Sequence, residues 1–168
     1  MAIQGGRPDE RRVVAHLMVP RGREAVDFYV RAFGGELLFA SEIPGTGRIV
    51  HAHVRIGDSV IMVTEEHLQE AGQASSEERF QVKLKSPGTL GGTTTMLELY
   101  VDDVDTAFPR ALEAGAKLVL EPADMFYGDR YGILADPFGH VWALATVKEM
   151  LTPAEVTRRA MALFAPAH

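Results

Sequence analysis

The 168-residue sequence is 46% hydrophobic and 24% charged, with 17 Lys and Arg against 23 Asp and Glu for a formal net charge of -6. That apolar share is too high for a disordered chain, and the acidity lacks the basic face that phosphate contacts need, so no nucleic-acid partner is expected. No apolar run reaches the length of a membrane span, residues Met1 to Arg12 are polar, and the lack of cysteine excludes disulfides, thiolate metal sites and a cysteine nucleophile; a soluble cytoplasmic protein is the expectation.

Val13 to Val19 reads as a short strand. Arg23 to Phe33 places Ala25, Val26, Phe28, Tyr29, Ala32 and Phe33 on one face at helical period, and Gly34-Gly35 ends the helix. Leu37 to Ala40 starts a second strand. Arg48 to Ile56 and Ser59 to Thr64 follow as two more, joined by the Gly57-Asp58 hairpin signal. Glu65 to Gly92 is polar and reads as a linker, with Phe80 to Leu84 as a short edge strand within it. Thr95 to Val101 is then a strand, and Asp103 or Asp105 caps a helix to about Ala114 that contains Pro109, a residue expected to kink it or delay its start. Lys117 to Leu120, Tyr131 to Ala135 and Val141 to Thr146 are strands, the last two joined by Asp136-Pro137-Phe138-Gly139. Thr152-Pro153-Ala154-Glu155 is a capping box for a C-terminal helix, with Met161, Leu163 and Phe164 to dock it on the body or on a partner chain.

The order repeats. Val19 and Val101 are 82 positions apart, as are Gly57 and Gly139. The expected fold class is α+β: two βαβββ modules forming a curved mixed sheet around a central cavity, with a C-terminal helix. The divisions are a tail at 1–12, modules at 13–66 and 94–147, a linker at 67–93, and a C-terminal helix and tail at 148–168.

Alternation along each strand separates two faces. One carries Ala15, Leu17, Val19, Leu97, Leu99 and Val101 and suits packing under a helix. The other carries His16, Met18, His51, His53, Glu98 and Tyr100. A half-solvated sheet shows the same alternation, so the pattern alone leaves a plain surface open. His16 and Glu98 stand at equivalent module positions, and a pseudo-twofold axis would set them opposite each other as an acid-base pair, raising the histidine's pKa and depressing the carboxylate's. Phe126, Tyr127 and Arg130, on the loop into the third strand of module two, suit a flat or anionic ligand at a cavity mouth, with a structural Arg130 ion pair as the alternative. Trp142 falls on the core list, His140 points to solvent, and Glu65, Glu66, Glu77 and Glu78 read as solvated charge.

Ala25-Val26-Asp27-Phe28-Tyr29, Ala32-Phe33-Gly34, Tyr100-Val101-Asp102-Asp103-Val104-Asp105 and Asp136-Pro137-Phe138-Gly139-His140, in this order and spacing, resemble the vicinal-oxygen-chelate superfamily of glyoxalase I, bleomycin and fosfomycin resistance proteins and extradiol dioxygenases. Phe126-Tyr127-Gly128-Asp129-Arg130 and Ser86-Pro87 through Leu90-Gly91-Gly92 resemble its PhnB-like group. The resemblance implies a small-molecule cavity, a homodimer and, in the enzymes, one divalent metal held from the first and last strands of each module. The corresponding positions here are Val14, Ile61, Met96 and Ala143. None holds a hard or borderline ion, so no metal cofactor is expected there. Two functions follow as expectations: a metal-free protein that binds a small molecule, as in antibiotic resistance, or a lyase, isomerase or dioxygenase-like enzyme using His16 and Glu98 directly or a relocated metal on His16, His51, His53 and Glu98. A structural dimer without a ligand is the third option.

Overall fold

The computed structural model describes residues 13–66 and 84–163. Each module begins with a strand, crosses over through a helix, and continues with three antiparallel strands. In module one these are β1 (Ala15–Val19), α1 (Gly22–Phe33), β2 (Glu36–Glu42), β3 (Ile49–Ile56) and β4 (Ser59–Glu65). A single helical turn, α2 (Pro87–Leu90), precedes module two, which has β5 (Met96–Tyr100), α3 (Val104–Glu113), β6 (Lys117–Asp124), β7 (Asp129–Ala135) and β8 (Val141–Val147). The C-terminal helix is α4 (Pro153–Leu163). Strand orders are β1-β4-β3-β2 and β5-β8-β7-β6, so the repeat and the α+β class expected from the sequence are the observed ones.

The strands make two separate four-stranded sheets rather than one hydrogen-bonded sheet. The apolar face of α1, from Ala25 to Phe33, is buried, and Gly34 closes it in the left-handed conformation at φ 67°. The N-terminus of α3 is capped by Asp103, and the helix runs on through Pro109 instead of starting after it. α1 lies on β3 and β4, α3 lies on β6, β7 and β8, and the helices pack on each other. One buried core therefore runs through both modules. Phe33 and Trp142 meet at 4.6 Å, and Phe28 contacts Phe138 edge-on at 6.2 Å. The other face of each sheet is turned away from this core.

The most polar part of the core lies at the turn into β8. Asp136 is 2% exposed, and its Oδ1 accepts hydrogen bonds from the backbone N–H groups of Phe138 and His140, both at 2.9 Å. Its Oδ2 accepts from the Tyr29 hydroxyl at 2.8 Å and from the Trp142 indole N–H at 3.1 Å. A buried carboxylate survives because donors surround it.

Two expectations about the surface change. Glu65 and Glu66 are buried, not solvated. Glu65 accepts from the Gly22 N–H at 3.1 Å and from Arg48 at 2.6 Å, anchoring the start of α1. Glu66 accepts from the Ser86 N–H at 2.6 Å and from the Thr89 hydroxyl at 2.7 Å, anchoring α2. Met161 and Leu163 are exposed on α4 and do not dock it on the body of this chain. Phe164, Glu77, Glu78 and residues 80–83 of the expected edge strand lie outside the described residues.

Candidate ligand-binding site

Parity in β1, β3 and β4 brings His16, His51, His53 and Thr64 together on the face away from α1. Met62 pairs in register with both His16 and His53. The Thr64 hydroxyl lies 2.8 Å from His16 Nε2 and 3.2 Å from His51 Nδ1, and His51 Nε2 lies 2.8 Å from His53 Nε2. Two proton arrangements for neutral rings pass the donation along the whole chain in one direction. In one, His16 Nε2–H donates to Thr64, Thr64 donates to His51, and His51 donates to His53. In the other, every bond is reversed and His16 carries its proton on Nδ1. His16 is solvent-exposed at one end, and His53 is buried at the other.

His16 and Glu98 do not form the expected pair. Desolvation against the sheet, and secondarily the positive charge available to His53, hold the His16 pKa below its ordinary value, opposite to the rise a carboxylate partner would cause. The two side chains border different cavities at the seam between β1 and β5.

The metal-ligand positions of the resemblance also need one revision. Ala15 pairs with Ile61, whereas the equivalent Leu97 pairs with Trp142, so the repeat is 82 residues at β1 and β5 but 81 at β4 and β8. Ile61 faces the core, and Met62 is the counterpart of Ala143. With Val14, Met62, Met96 and Ala143 the set remains apolar or thioether. It does not fit a divalent ion of the kind the family implies. Among the described residues, no group of three or more His, Asp or Glu side chains is arranged to hold a metal ion. Tetrahedral nitrogens on zinc at about 2.1 Å would stand about 3.4 Å apart, whereas the His51 and His53 nitrogens are at hydrogen-bonding distance, 2.8 Å.

A cavity of about 450 Å³ lies at the seam where β1 approaches β5 and the segment before it. His16 and Met18 line it from β1, Leu97 from β5, and Lys85, Leu90 and Thr94 from the connecting segment. His140 forms part of the wall rather than pointing to solvent, and its Nε2–H donates to the Met18 carbonyl at 3.0 Å. Glu98 borders a separate, smaller cavity of about 220 Å³ that shares Ala15 and Leu97 with the first. Lys85 and Thr94 were not singled out from the sequence. Only the fold brings that polar segment against β1.

The second module's outer face gathers aromatics. Tyr100 donates to Asp129 at 3.1 Å, and Tyr127 packs edge-on against Phe126 at 5.2 Å and Tyr131 at 6.4 Å. Desolvation first, then Asp129 and Glu98, push the Tyr100 pKa up to about 12. Tyr127 and Tyr131 are raised as well, by desolvation first and with Glu98 contributing to both. Arg130 is turned the other way, where Asp105 at 2.8 Å and Asp124 at 3.1 Å hold its guanidinium; the structural alternative describes it.

Residues 12–144 match the family described as Glyoxalase/Bleomycin resistance protein/Dioxygenase superfamily. An uncharacterized protein of Mycobacterium tuberculosis H37Rv, Rv0887c, is 42% identical over 130 residues, covering 77% of this chain and 70% of that one. Among solved structures, TioX from Micromonospora sp. ML1 is 30% identical with a TM-score of 0.59, over 80% of this chain and 97% of that one. A glyoxalase/bleomycin resistance protein/dioxygenase family enzyme from Burkholderia phytofirmans PsJN shares the fold at TM-score 0.60 and 21% identity, over 80% and 96% of the two chains. The PhnB protein of Bacillus cereus shares it at 0.56 and 17%, over 81% and 99%.

Proposed function

The chain belongs to the glyoxalase/bleomycin resistance protein/dioxygenase superfamily, and on that premise we propose that it binds a small organic molecule in the seam cavity without a metal at the family's ligand positions. The observation that carries this reading is the cavity itself, about 450 Å³ with a largely apolar wall and a few polar groups, of which His16 is one. The filling of the ion's positions by Val14, Met62, Met96 and Ala143 supports binding over metal catalysis at that site. The test is a neutral apolar fluorophore, N-phenyl-1-naphthylamine, titrated into the purified protein. One site per chain is expected, and Leu90→Trp, on the exposed α2, should abolish it by filling the cavity. Saturable binding that this substitution leaves untouched would place the ligand elsewhere.

The His16–Thr64–His51–His53 chain favours a second reading, an acid-base enzyme of the same superfamily. A histidine held below its ordinary pKa is neutral at pH 7 and so available as a base, and the bonded chain gives a proton somewhere to go. His16 here acts with His51 and His53, not with Glu98. Turnover of an α-ketoaldehyde adduct that is lost in His16→Ala supports it; equal rates in both proteins remove it.

The chain is further read as a cytoplasmic homodimer of the PhnB-like group, with the exposed Met161 and Leu163 of α4 available to a second copy. Light scattering of the purified protein, with Met161→Lys as the variant expected to dissociate it, tests the dimer.

A further inference from the structure

We propose that the seam cavity takes an organic anion: an apolar body carrying a carboxylate, sulfonate or phosphate, with Lys85 as its charge anchor. This rests on the cavity reading above and names its ligand class. Among the described residues lining the cavity, Lys85 is the one lysine or arginine, and no Asp or Glu is among them. In a chain with a formal net charge of -6, a lysine would ordinarily find a carboxylate. Here Lys85 is half-buried and makes no ion pair or side-chain hydrogen bond among the described residues. Glu66, the carboxylate that reaches this short segment, is committed to Ser86 and Thr89.

The other polar groups on the wall suit the same ligand. His16 sits on the wall at the end of its hydrogen-bonded chain, where one of its two proton arrangements presents Nδ1–H. Thr94 adds a hydroxyl with no partner among the described residues. Met18, Leu90 and Leu97 provide the apolar contact. A half-buried ammonium with no carboxylate among the described residues of the wall disfavours a cation and gives a neutral ligand no advantage.

The decisive comparison uses two probes that share one skeleton: neutral N-phenyl-1-naphthylamine and anionic 8-anilino-1-naphthalenesulfonate. The anion is expected to bind roughly tenfold tighter or more, about the worth of one charge-assisted contact in a partly buried site. Lys85→Met should erase that advantage and leave the neutral probe within about twofold of its original affinity; Lys85→Arg should restore it, and 0.5 M salt should weaken only the anion. Displacement by 1-naphthoate and by 1-naphthyl phosphate, but not by 1-naphthylmethylammonium, supports the class and ranks carboxylate against phosphate. Equal affinities for the two probes, or an advantage that survives Lys85→Met, overturn the anion assignment while leaving the cavity reading standing. Failure of both probes, or binding of both that Leu90→Trp does not affect, overturns the two together.

Discussion

The Tyr29 hydroxyl in α1 donates to Asp136 Oδ2 in the turn before β8, 2.8 Å away and 107 positions along the chain. One module's helix is thus bonded to the other module's turn. Asp136→Ala removes the acceptor for this hydroxyl, the Trp142 indole and two backbone N–H groups at once, and should cost about 3–5 kcal/mol. Tyr29→Phe removes one donor and should cost about 1–3 kcal/mol. Urea unfolding of both variants checks the ranking; a cost for Asp136→Ala no larger than for Tyr29→Phe would show that the turn does not depend on its carboxylate.

All four tyrosines of the chain, Tyr29, Tyr100, Tyr127 and Tyr131, have pKa values raised by the fold, Tyr100 to about 12. A raised pKa means that the unfolded chain releases its proton first. The stability tied to these groups is intact below pH 10 and drains away as pH climbs through the folded values. Ultraviolet titration should therefore show no tyrosine ionising near pH 10 in the folded protein. A component there would contradict the packing around the second module's outer face.

His16 behaves in the opposite sense. Its folded pKa lies below 6.5, so between that value and 6.5 the unfolded chain binds more protons, and stability is lost as pH falls through the folded value. Proton NMR of the imidazole resonances should place His16 below 6.5. His53→Gln should move it upward by removing the charge that contributes to the shift, and no upward movement would mean that desolvation alone sets the value.

Gly128 stands at φ 103°, and a Cβ there would lie 2.4 Å from the Glu149 carbonyl oxygen. The Lys148 and Glu149 N–H groups both donate to the Gly128 carbonyl at 2.9 Å, so this backbone has little freedom to retreat. Gly128→Ala should cost about 3 kcal/mol or more through strain and overpacking. Thermal unfolding measures it, and a near-neutral result would show that the turn relaxes.

Element types and their order were legible because each apolar stripe has one period and each turn has its glycine. The register of β4 against β8 was not. Gly57 and Gly139 look like counterparts, but Gly57 belongs to a two-residue hairpin whereas the connection holding Gly139 runs from Asp136 to His140, and the count slips between them. That slip turned Ile61 inward and put Met62 on the histidine face. Parity did place His16, His51 and His53 on one face, since alternation needs no partner strand. The fates of Glu65, Glu66 and His140 were hidden because their partners, Gly22, Ser86 and the Met18 carbonyl, are distant in sequence. Arg130 was ambiguous because parity within a loop cannot be counted until the strand's start is fixed.

The grip of Glu66 on Ser86 has a topological result. It staples the chain immediately before residue 67 to the chain just after residue 83, so that stretch leaves and returns at one spot. The two described ends, at Glu66 and Ser86, are thus held together whatever the number of residues between them, and closure entropy changes only slowly with that number, roughly as its logarithm.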